Sequence, residues 1–371
     1  MKVILLVVLI FCACHQIDGA LQCKNPTGAA VDWWSMLKLP IITTAPTGSP
    51  ARLGTAFVYL DSTAPNAWQS NAENSINGTN NALYQTLHPL YLSSSSSLGS
   101  LMYDDQDPTG TTHSSFGHTK GVWAFDSSTG FWLTHSGIFS SSFFLVAISK
   151  INSLSLLSVP RFPSTDTYQY PDNEVNYGQS FLCVSLSLST INNAAENLLF
   201  NKPYVFKSNL PTSLAASVPN VQSVLASKWI TGAPYTRVFT ISTLGGASWE
   251  TFAKNAAWNN ELWDALVAPT LKNSLLVETW MNGEGGKINS TCTTTYQVID
   301  ISQVTVAGYS WPNSKDHSKW GVSSSSSPSW GCIGDINRVS SQYSRGGGAL
   351  CMNNGVWAKT LKSVVSADWA C

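Results

Sequence analysis

Short segments rich in β-branched and aromatic residues recur along this chain of 371 residues, and several of them alternate apolar with polar positions. Runs of this kind over about 4–8 residues are typical of β-strands. We therefore predict strands at AFVYLD (56–61), GVWAFD (121–126), FFLVAI (143–148), SFLCVSLSL (180–188), RVFTISTL (237–244), SLLVETWM (274–281) and YQVIDISQVTV (296–306).

Three stretches between these segments are predicted to be helical, namely 191–200, 249–271 and 348–364. Strands that alternate with helices in both halves of a chain favour a layered fold of the mixed α/β (α+β) class. The weakly patterned stretch 206–219 is the predicted junction between the two halves. With 43% hydrophobic residues, the chain can fill one large or two medium cores.

The N-terminal 20 residues have the layout of a cleaved secretory signal. Lys2 is followed by an apolar run and by a small-residue end at Gly19-Ala20. The mature chain is therefore expected to begin at Leu21. Since no later run reaches the roughly 18 apolar residues that span a bilayer, we predict a soluble mature protein.

Removal of this segment leaves an even set of cysteines, Cys23, Cys183, Cys292, Cys332, Cys351 and Cys371. In an oxidising compartment such a set predicts three disulfides. A zinc site is the competing interpretation, although the spacing contains no CxxC motif. Asn77 and Asn289 begin acceptor sequons for N-glycosylation, which fits a secreted or lysosomal chain.

Net charge is −1 with histidine neutral, so the composition gives no indication of a broad basic surface for nucleic acid at pH 7. A polyanionic substrate would have to be met by a local site. Such a site is suggested by two short motifs, His118-x-Lys120 and His317-x-Lys319. Residues two apart in an extended segment face the same side, so each motif can present an imidazole and an ammonium to one phosphate.

The repeat extends downstream of each motif. His135 follows His118 by seventeen residues, and Asn337 follows His317 by twenty. This pattern suggests a duplicated unit with one His-x-Lys motif and one further polar side chain in each half. A single motif of this kind arises often by chance, whereas two copies in a chain with five mature histidines favour a catalytic site.

These segments, in their order, resemble the deoxyribonuclease II family, which is related to the phospholipase D superfamily. The resemblance covers nearly the whole mature chain and rests on VDWWSMLKLP (31–40), LHPLY (87–91), GHTKGV, GFWLTHS, YGQSFLCVS (177–185), DHSKWGV, GDINR and SRGGGALC (344–351). One departure is Phe125, at a place where the superfamily usually has an aspartate. We therefore interpret the neighbouring Asp126 as structural.

The resemblance implies two phospholipase D-like halves related by a pseudo-twofold, each a β-sheet flanked by helices, at residues 21–210 and 211–371. His118, Lys120, His317 and Lys319 would meet at one site, assisted by His135 and Asn337. DNA would be cut to 3′-phosphate and 5′-hydroxyl ends in the lysosome or outside the cell, by a monomer or a homodimer. The resemblance also implies the disulfides Cys23–Cys183 and Cys292–Cys371, while spacing suggests Cys332–Cys351, which would hold Asn337 near the site.

The expected chemistry requires no cofactor and no metal ion. Lys120 and Lys319 would neutralise phosphate oxygens, one neutral imidazole would attack phosphorus, and one protonated imidazole would supply the leaving group with a proton. We assign His118 as the nucleophile and His317 as the acid and later the base, although the motifs are nearly symmetric. A neutral and a charged histidine together favour acidic pH.

Two polar stretches receive modest interpretations. Asp104, Asp105 and Asp107 are predicted to form a solvated turn rather than a metal site. Arg345 with the following glycines either binds a DNA phosphate at the start of the last helix or forms a plain turn.

Two alternative functions stay open: a secreted DNA-binding protein without turnover, and a phospholipase D-like lipid hydrolase. Intact motifs argue against the first, and the nuclease-type resemblance argues against the second.

Overall fold

The computed structural model describes residues 20–92, 96–108, 110–137, 168, 170, 174–283 and 285–371. Within these residues, two large sheets and six α-helices form a mixed α/β fold. The expected signal segment, except for Ala20, and the predicted strand at 143–148 lie outside the described residues. Within the described ranges, no helix is both long enough and apolar enough to cross a membrane.

Each sheet is built from one half of the chain. The first sheet contains β1 (Trp33–Lys38), β2 (Ala56–Asp61), β3 (Gln69–Ser75), β4 (Gly99–Tyr103), β5 (Gly121–Phe125), β6 (Thr129–His135), β7 (Gln179–Ser187) and β8 (Val205–Asn209), in the order β3-β2-β1-β7-β6-β5-β4-β8. The second contains β9 (Thr236–Ser242), β10 (Ser248–Lys254), β11 (Leu275–Glu278), β12 (Val298–Val306), β13 (Tyr309–Pro312), β14 (Trp320–Ser323), β15 (Trp330–Gly334), β16 (Gly347–Asn353) and β17 (Val365–Asp368). Its order is β13-β12-β11-β14-β15-β16-β10-β9, with β17 paired to β12.

The two sheets have matching strand orders, as expected for pseudo-symmetric halves. Reading from β4, the first sheet runs β4-β5-β6-β7-β1-β2, and reading from β11, the second runs β11-β14-β15-β16-β10-β9. A long helix follows β7 in the first half, α2 (Leu188–Asn201), and a helix follows β16 in the second, α6 (Gly355–Lys362). The short helices are α1 (Ala82–Leu87), α3 (Thr212–Ala215), α4 (Pro219–Leu225) and α5 (Ala268–Leu271).

The main core lies between the two sheets and also contains apolar side chains of α2 and α6. Along β5, Trp123 and Phe125 contribute to this core, while Val122 and Ala124 contribute to a second core on the other face of the sheet. Strands that are buried on both faces have continuous apolar sequences. All six predicted strands within the described ranges are confirmed. Burial on both faces accounts for those that are buried throughout, such as β2 and β5, whereas β9 is largely exposed or half-buried.

Two of the three predicted helices are partly wrong. The helix at 191–200 is confirmed as α2, whose first turn is capped by the Ser187 hydroxyl. The stretches 249–271 and 348–364 instead begin with strands β10 and β16, which pair with each other, and become helical only later. A short apolar run that is buried on both faces has no periodicity that separates strand from helix. Consequently, the glycines after Arg345 enter a strand and do not open the last helix.

The predicted junction at 206–219 contains the end of β8, the last strand of the first sheet, and α3. The second sheet begins only at Thr236. The structure contains the disulfides Cys23–Cys183, Cys292–Cys371 and Cys332–Cys351, which are the expected pairs. Both asparagines of the sequons, Asn77 and Asn289, are exposed.

Candidate active site

The two His-x-Lys motifs occupy equivalent places in the two sheets. Residues 118–120 lead directly into β5, and residues 317–319 lead directly into β14. All four side chains are buried, with exposed fractions of 5% for His118, 2% for His317 and 0% for both lysines. A charged or titratable side chain at such depth requires polar partners.

Each motif is held by a backbone carbonyl of the opposite half. The backbone N–H of His118 donates to Gly346 O at 2.8 Å, and that of His317 donates to Gly178 O at 2.9 Å. At Gly178, a Cβ would lie 2.6 Å from the carboxylate of Asp316, so only glycine allows the two segments to approach this closely. These cross-half bonds bring the motifs together where the sheets meet.

His118 has a defined tautomer. Its Nδ1 lies 2.9 Å from the backbone carbonyl of Asp335, which can only accept a hydrogen bond. Nδ1 therefore carries the proton, and in the neutral ring the lone pair is on Nε2. A fixed lone pair of this kind is what a nucleophilic or basic imidazole requires.

His317 is held by rings rather than by hydrogen bonds. The imidazole stacks almost parallel on Tyr177 with the ring centroids 4.0 Å apart, and Trp280 meets it edge-on at 4.0 Å. Neither of its ring nitrogens has a hydrogen-bond partner among the described residues. Because buried polar atoms are nearly always paired, both nitrogens are available to a substrate.

The two lysines differ sharply in their partners. Lys120 Nζ binds the carboxylates of Asp105 and, at 3.4 Å, Asp104. Lys319 Nζ donates to two backbone carbonyls, His317 O at 2.9 Å and Ser136 O at 3.3 Å. Burial alone would lower the pKa of Lys120, but the two carboxylates raise it above its ordinary value. Burial and the charge of Lys120 lower the pKa of Lys319 to about 7.

The prediction of a solvated turn at Asp104 and Asp105 is wrong. Both residues are buried, and Asp105 also binds Arg345 at 2.8 Å. A buried ammonium requires a counter-charge, and these carboxylates provide it for Lys120. Asp107 instead lies 3.0 Å from His113. In the ranges that the structure describes, no cluster of histidine, cysteine and acidic residues is arranged to hold a metal ion.

Both motif histidines have pKa values well below the ordinary histidine range. Burial is the largest cause for each. For His118 the charge of Lys120 lowers the pKa further, with partial compensation by Asp105. For His317 the charges of Lys319 and Lys38 act in the same direction as burial. Burial and the neighbouring cations therefore disfavour imidazolium at both rings until an anion enters the site.

His135 is a buried side chain at the end of β6, beside the first motif. Its backbone N–H donates to Lys120 O at 3.3 Å, and its Nδ1 has no partner among the described residues. Burial, followed by the charges of Lys120 and Lys319, lowers the pKa of His135 to about 3. His135 is thus a neutral ring near both lysines.

Asn337 does not occupy the place equivalent to His135. In the second half, the residue whose N–H donates to the motif lysine carbonyl is Gly334, at 2.8 Å from Lys319 O, and it follows His317 by seventeen residues. Asn337 lies three residues beyond it, is buried, and has an Oδ1 atom without a partner among the described residues. The different spacings of seventeen and twenty residues reflect this shift.

Several residues of this region received no role from sequence. Asp335 accepts from the Thr119 hydroxyl at 2.5 Å and from Gly348 N at 2.7 Å, and burial raises its pKa to about 6. Tyr177 and Trp280 enclose His317. Asp335 and Tyr177 lie in segments that carry the family resemblance, and nothing else in the sequence pointed to a role for them in the site. Asp126 accepts from the N–H groups of Ser128 and Thr129 and is structural, as predicted.

Comparisons with known proteins agree along most of the chain. The model of the deoxyribonuclease II family matches residues 22–138 and 154–371. The chain is 35% identical over 339 residues to cell-death-related nuclease 7 of Caenorhabditis elegans, covering 91% of this chain and 84% of that protein. It is 31% identical over 381 residues to deoxyribonuclease-2 of the same species (95% of each chain) and 32% identical over 360 residues to deoxyribonuclease-2-alpha of Mus musculus (94% and 93%).

Proposed function

The chain belongs to the deoxyribonuclease II family, and on that premise we propose that it is a metal-independent acid endonuclease. It hydrolyses phosphodiester bonds of DNA to 3′-phosphate and 5′-hydroxyl ends through a phosphohistidine intermediate. The observation that supports this proposal is that both His-x-Lys motifs are buried, each is bound by a carbonyl of the opposite half, and His317 and Lys319 feel the charge of Lys120.

The lysines supply the charge that phosphodiester hydrolysis needs. A phosphodiester resists attack because its negative charge repels nucleophiles. Ammonium groups that are already in place stabilise the additional charge of the transition state more strongly in a buried site than in water. Lys120 and Lys319 take this role, which a magnesium ion has in other nucleases.

The surroundings of the two histidines support different roles for them. His118 holds its Nδ1 proton on Asp335 O, so that Nε2 can attack phosphorus. A phosphorus–nitrogen bond forms while the bond from phosphorus to the 5′ oxygen breaks, and protonated His317 gives that oxygen its proton. His317 then takes a proton from water, which attacks phosphorus and releases His118 with a 3′-phosphate product.

Stacking on Tyr177 favours the acid role of His317. An aromatic face attracts a cation, so the ring of Tyr177 stabilises imidazolium over imidazole. His135 assists through its unpaired Nδ1, which can contact the phosphate or the attacking water, and Asn337 assists through its unpaired Oδ1, which can accept a hydrogen bond from that water. The incoming phosphate brings a negative charge that raises the lowered pKa values of the histidines, so the acid form exists mainly in the complex with DNA.

The low pKa values in the free site make an acidic compartment the natural place of action. We propose secretion with removal of residues 1–20, delivery to the lysosome or to the exterior, and glycans at Asn77 and Asn289. We further propose the two halves as residues 21–210 and 211–371, acting within a monomer or a homodimer.

We expect nicking of supercoiled plasmid at mildly acidic pH to survive an excess of EDTA, since lysines occupy the electrostatic role of a metal. The measurement is the rate of conversion from supercoiled to open-circular DNA, with and without chelator. A phosphatidylcholine substrate serves as the control and should remain intact. Loss of nicking on chelation with recovery on addition of magnesium would contradict the lysine scheme, and DNA binding without cleavage would indicate a binding protein.

A further inference from the structure

Two lysines outside the His-x-Lys motifs occupy matched positions in the two sheets. Lys38 is the last residue of β1, and Lys254 is the last residue of β10. Trp33 and Trp249 each lie five residues before the lysine of their strand, and their rings are in contact with centroids 5.9 Å apart. Both lysine side chains are buried, with residue exposures of 0%.

Among the described residues, each ammonium group makes all of its hydrogen bonds to backbone carbonyls. Lys38 Nζ donates to Gly54 O at 2.9 Å, Glu174 O at 2.8 Å and Val175 O at 3.1 Å. Lys254 Nζ donates to three carbonyls as well, Gln342 O at 3.0 Å, Tyr343 O at 2.8 Å and Arg345 O at 2.6 Å. An ammonium has three N–H donors, and in each lysine all three are used in hydrogen bonds to the backbone.

The segments fixed in this way lead to the carbonyls that hold the catalytic histidines. Val175, bound by Lys38, is three residues before Gly178, whose carbonyl accepts from His317 N. Arg345, bound by Lys254, directly precedes Gly346, whose carbonyl accepts from His118 N. Each lysine therefore fixes a loop in its own half of the chain. The backbone of that loop in turn binds the motif histidine of the other half.

We propose that Lys38 and Lys254 are a matched pair of positioning residues that set the two motif histidines against each other across the junction. Keeping a charge buried without a carboxylate partner is costly, and an apolar side chain would fill the same space without that cost. The repeated three-carbonyl arrangement is accounted for by its effect on the loops. This inference rests on the proposed function, because the histidines are what is being positioned.

The two lysines differ in one respect that makes their role measurable. The charge of Lys38 lowers the pKa of His317, after burial and Lys319, whereas the charges felt by Lys254 are those of Glu261, Asp335 and Arg345. Replacing Lys38 thus changes both the position and the acidity of His317. Replacing Lys254 changes the position of His118 but removes none of the charges that chiefly lower the pKa of that ring, which are those of Lys120, Lys319 and Arg345.

The test compares Lys38→Met and Lys254→Met with Lys228→Met, which removes an exposed lysine. Initial rates of plasmid nicking are measured against DNA concentration and pH. We expect kcat to fall about tenfold to a hundredfold in both buried variants, with KM changed less than about threefold, since misplaced catalytic groups cost rate rather than binding. The alkaline limb of the pH profile should move to higher pH in Lys38→Met and stay in place in Lys254→Met.

Folded variants with kcat within about twofold of the parent, or pH profiles that move equally in both, would overturn the pairing. If a variant does not fold, the positioning role is tested instead by amide hydrogen exchange on the unaltered protein. Lys38 and Lys254 have pKa values lowered by burial to about 7 and about 8, so residues 174–178 should lose protection first and 342–346 second as pH rises. Unchanged protection across that range contradicts the inference, whereas an unaltered protein that fails to nick DNA contradicts the proposed function instead.

Discussion

Replacing His118 or His317 with alanine is expected to reduce nicking of supercoiled DNA by at least about a thousandfold in each case. The two rings perform successive parts of one reaction, attack on phosphorus and protonation of the leaving oxygen. Removing either one stops that reaction, so the double variant should be little worse than a single variant. Binding of DNA at acidic pH should persist, because Lys120 and Lys319 remain.

The measurement is the rate of plasmid nicking for the two single variants, the double variant and His88→Ala, together with DNA affinity. His88 lies at the end of α1 and serves as the matched control, with an expected rate equal to that of the parent protein. If each motif were an independent site, each single variant would keep about half of the activity and only the double variant would be dead. That additive result would refute the shared site.

Lys319→Met is expected to lower the nicking rate at acidic pH by about 10²–10³-fold while moving the alkaline limb of the pH profile upward. The rate falls because one of two ammonium groups that neutralise the phosphate is lost. The alkaline limb moves to higher pH because a cation beside His317 disfavours the protonated ring. Of the neighbouring charges, that of Lys319 lowers the pKa of His317 most. Without it, the pKa of His317 rises and the acid form persists to higher pH.

Lys315→Met is the control for that experiment, since Lys315 is an exposed lysine two residues before His317. It should leave both the rate and the profile unchanged. Lys319→Met should destabilise the fold less than loss of Lys120 would, because among the described residues the Lys319 ammonium binds two backbone carbonyls and no carboxylate loses an ion-pair partner. A limb that stays in place or moves to lower pH in Lys319→Met would show that the titrating group is not His317.

The local pattern of apolar residues was sufficient to predict several strands of the two sheets. Segments such as 56–61 and 180–188 are mainly apolar over a length typical of strands, and they form β2 and β7 with bounds within one residue of the prediction. The same property misled the helix prediction at β10 and β16. Their apolar residues face two cores, and only pairing between strands about a hundred residues apart decides that they are extended.

The sequence was sufficient to predict the His-x-Lys side chains of the candidate site, but not the residues that bind them. The His-x-Lys repeat marks four of its side chains, but the carbonyl of Asp335 that orients His118 comes from 217 residues away. The same holds for Asp105, which read as part of a solvated turn and is the buried partner of Lys120. Counter-charges are chosen by three-dimensional proximity, so sequence spacing carries no signal for them.

The claim that His118 and His317 act on one phosphate, as nucleophile and acid, is tested most directly by trapping the covalent intermediate. The His317→Ala variant is mixed with a phosphodiester whose leaving group is activated and needs no proton, and the quenched protein is mapped by mass spectrometry. Phosphate on His118 is the predicted result, and His118→Ala should yield none. Phosphate on His317 in the His118→Ala variant, or no phosphohistidine in either, would contradict the account.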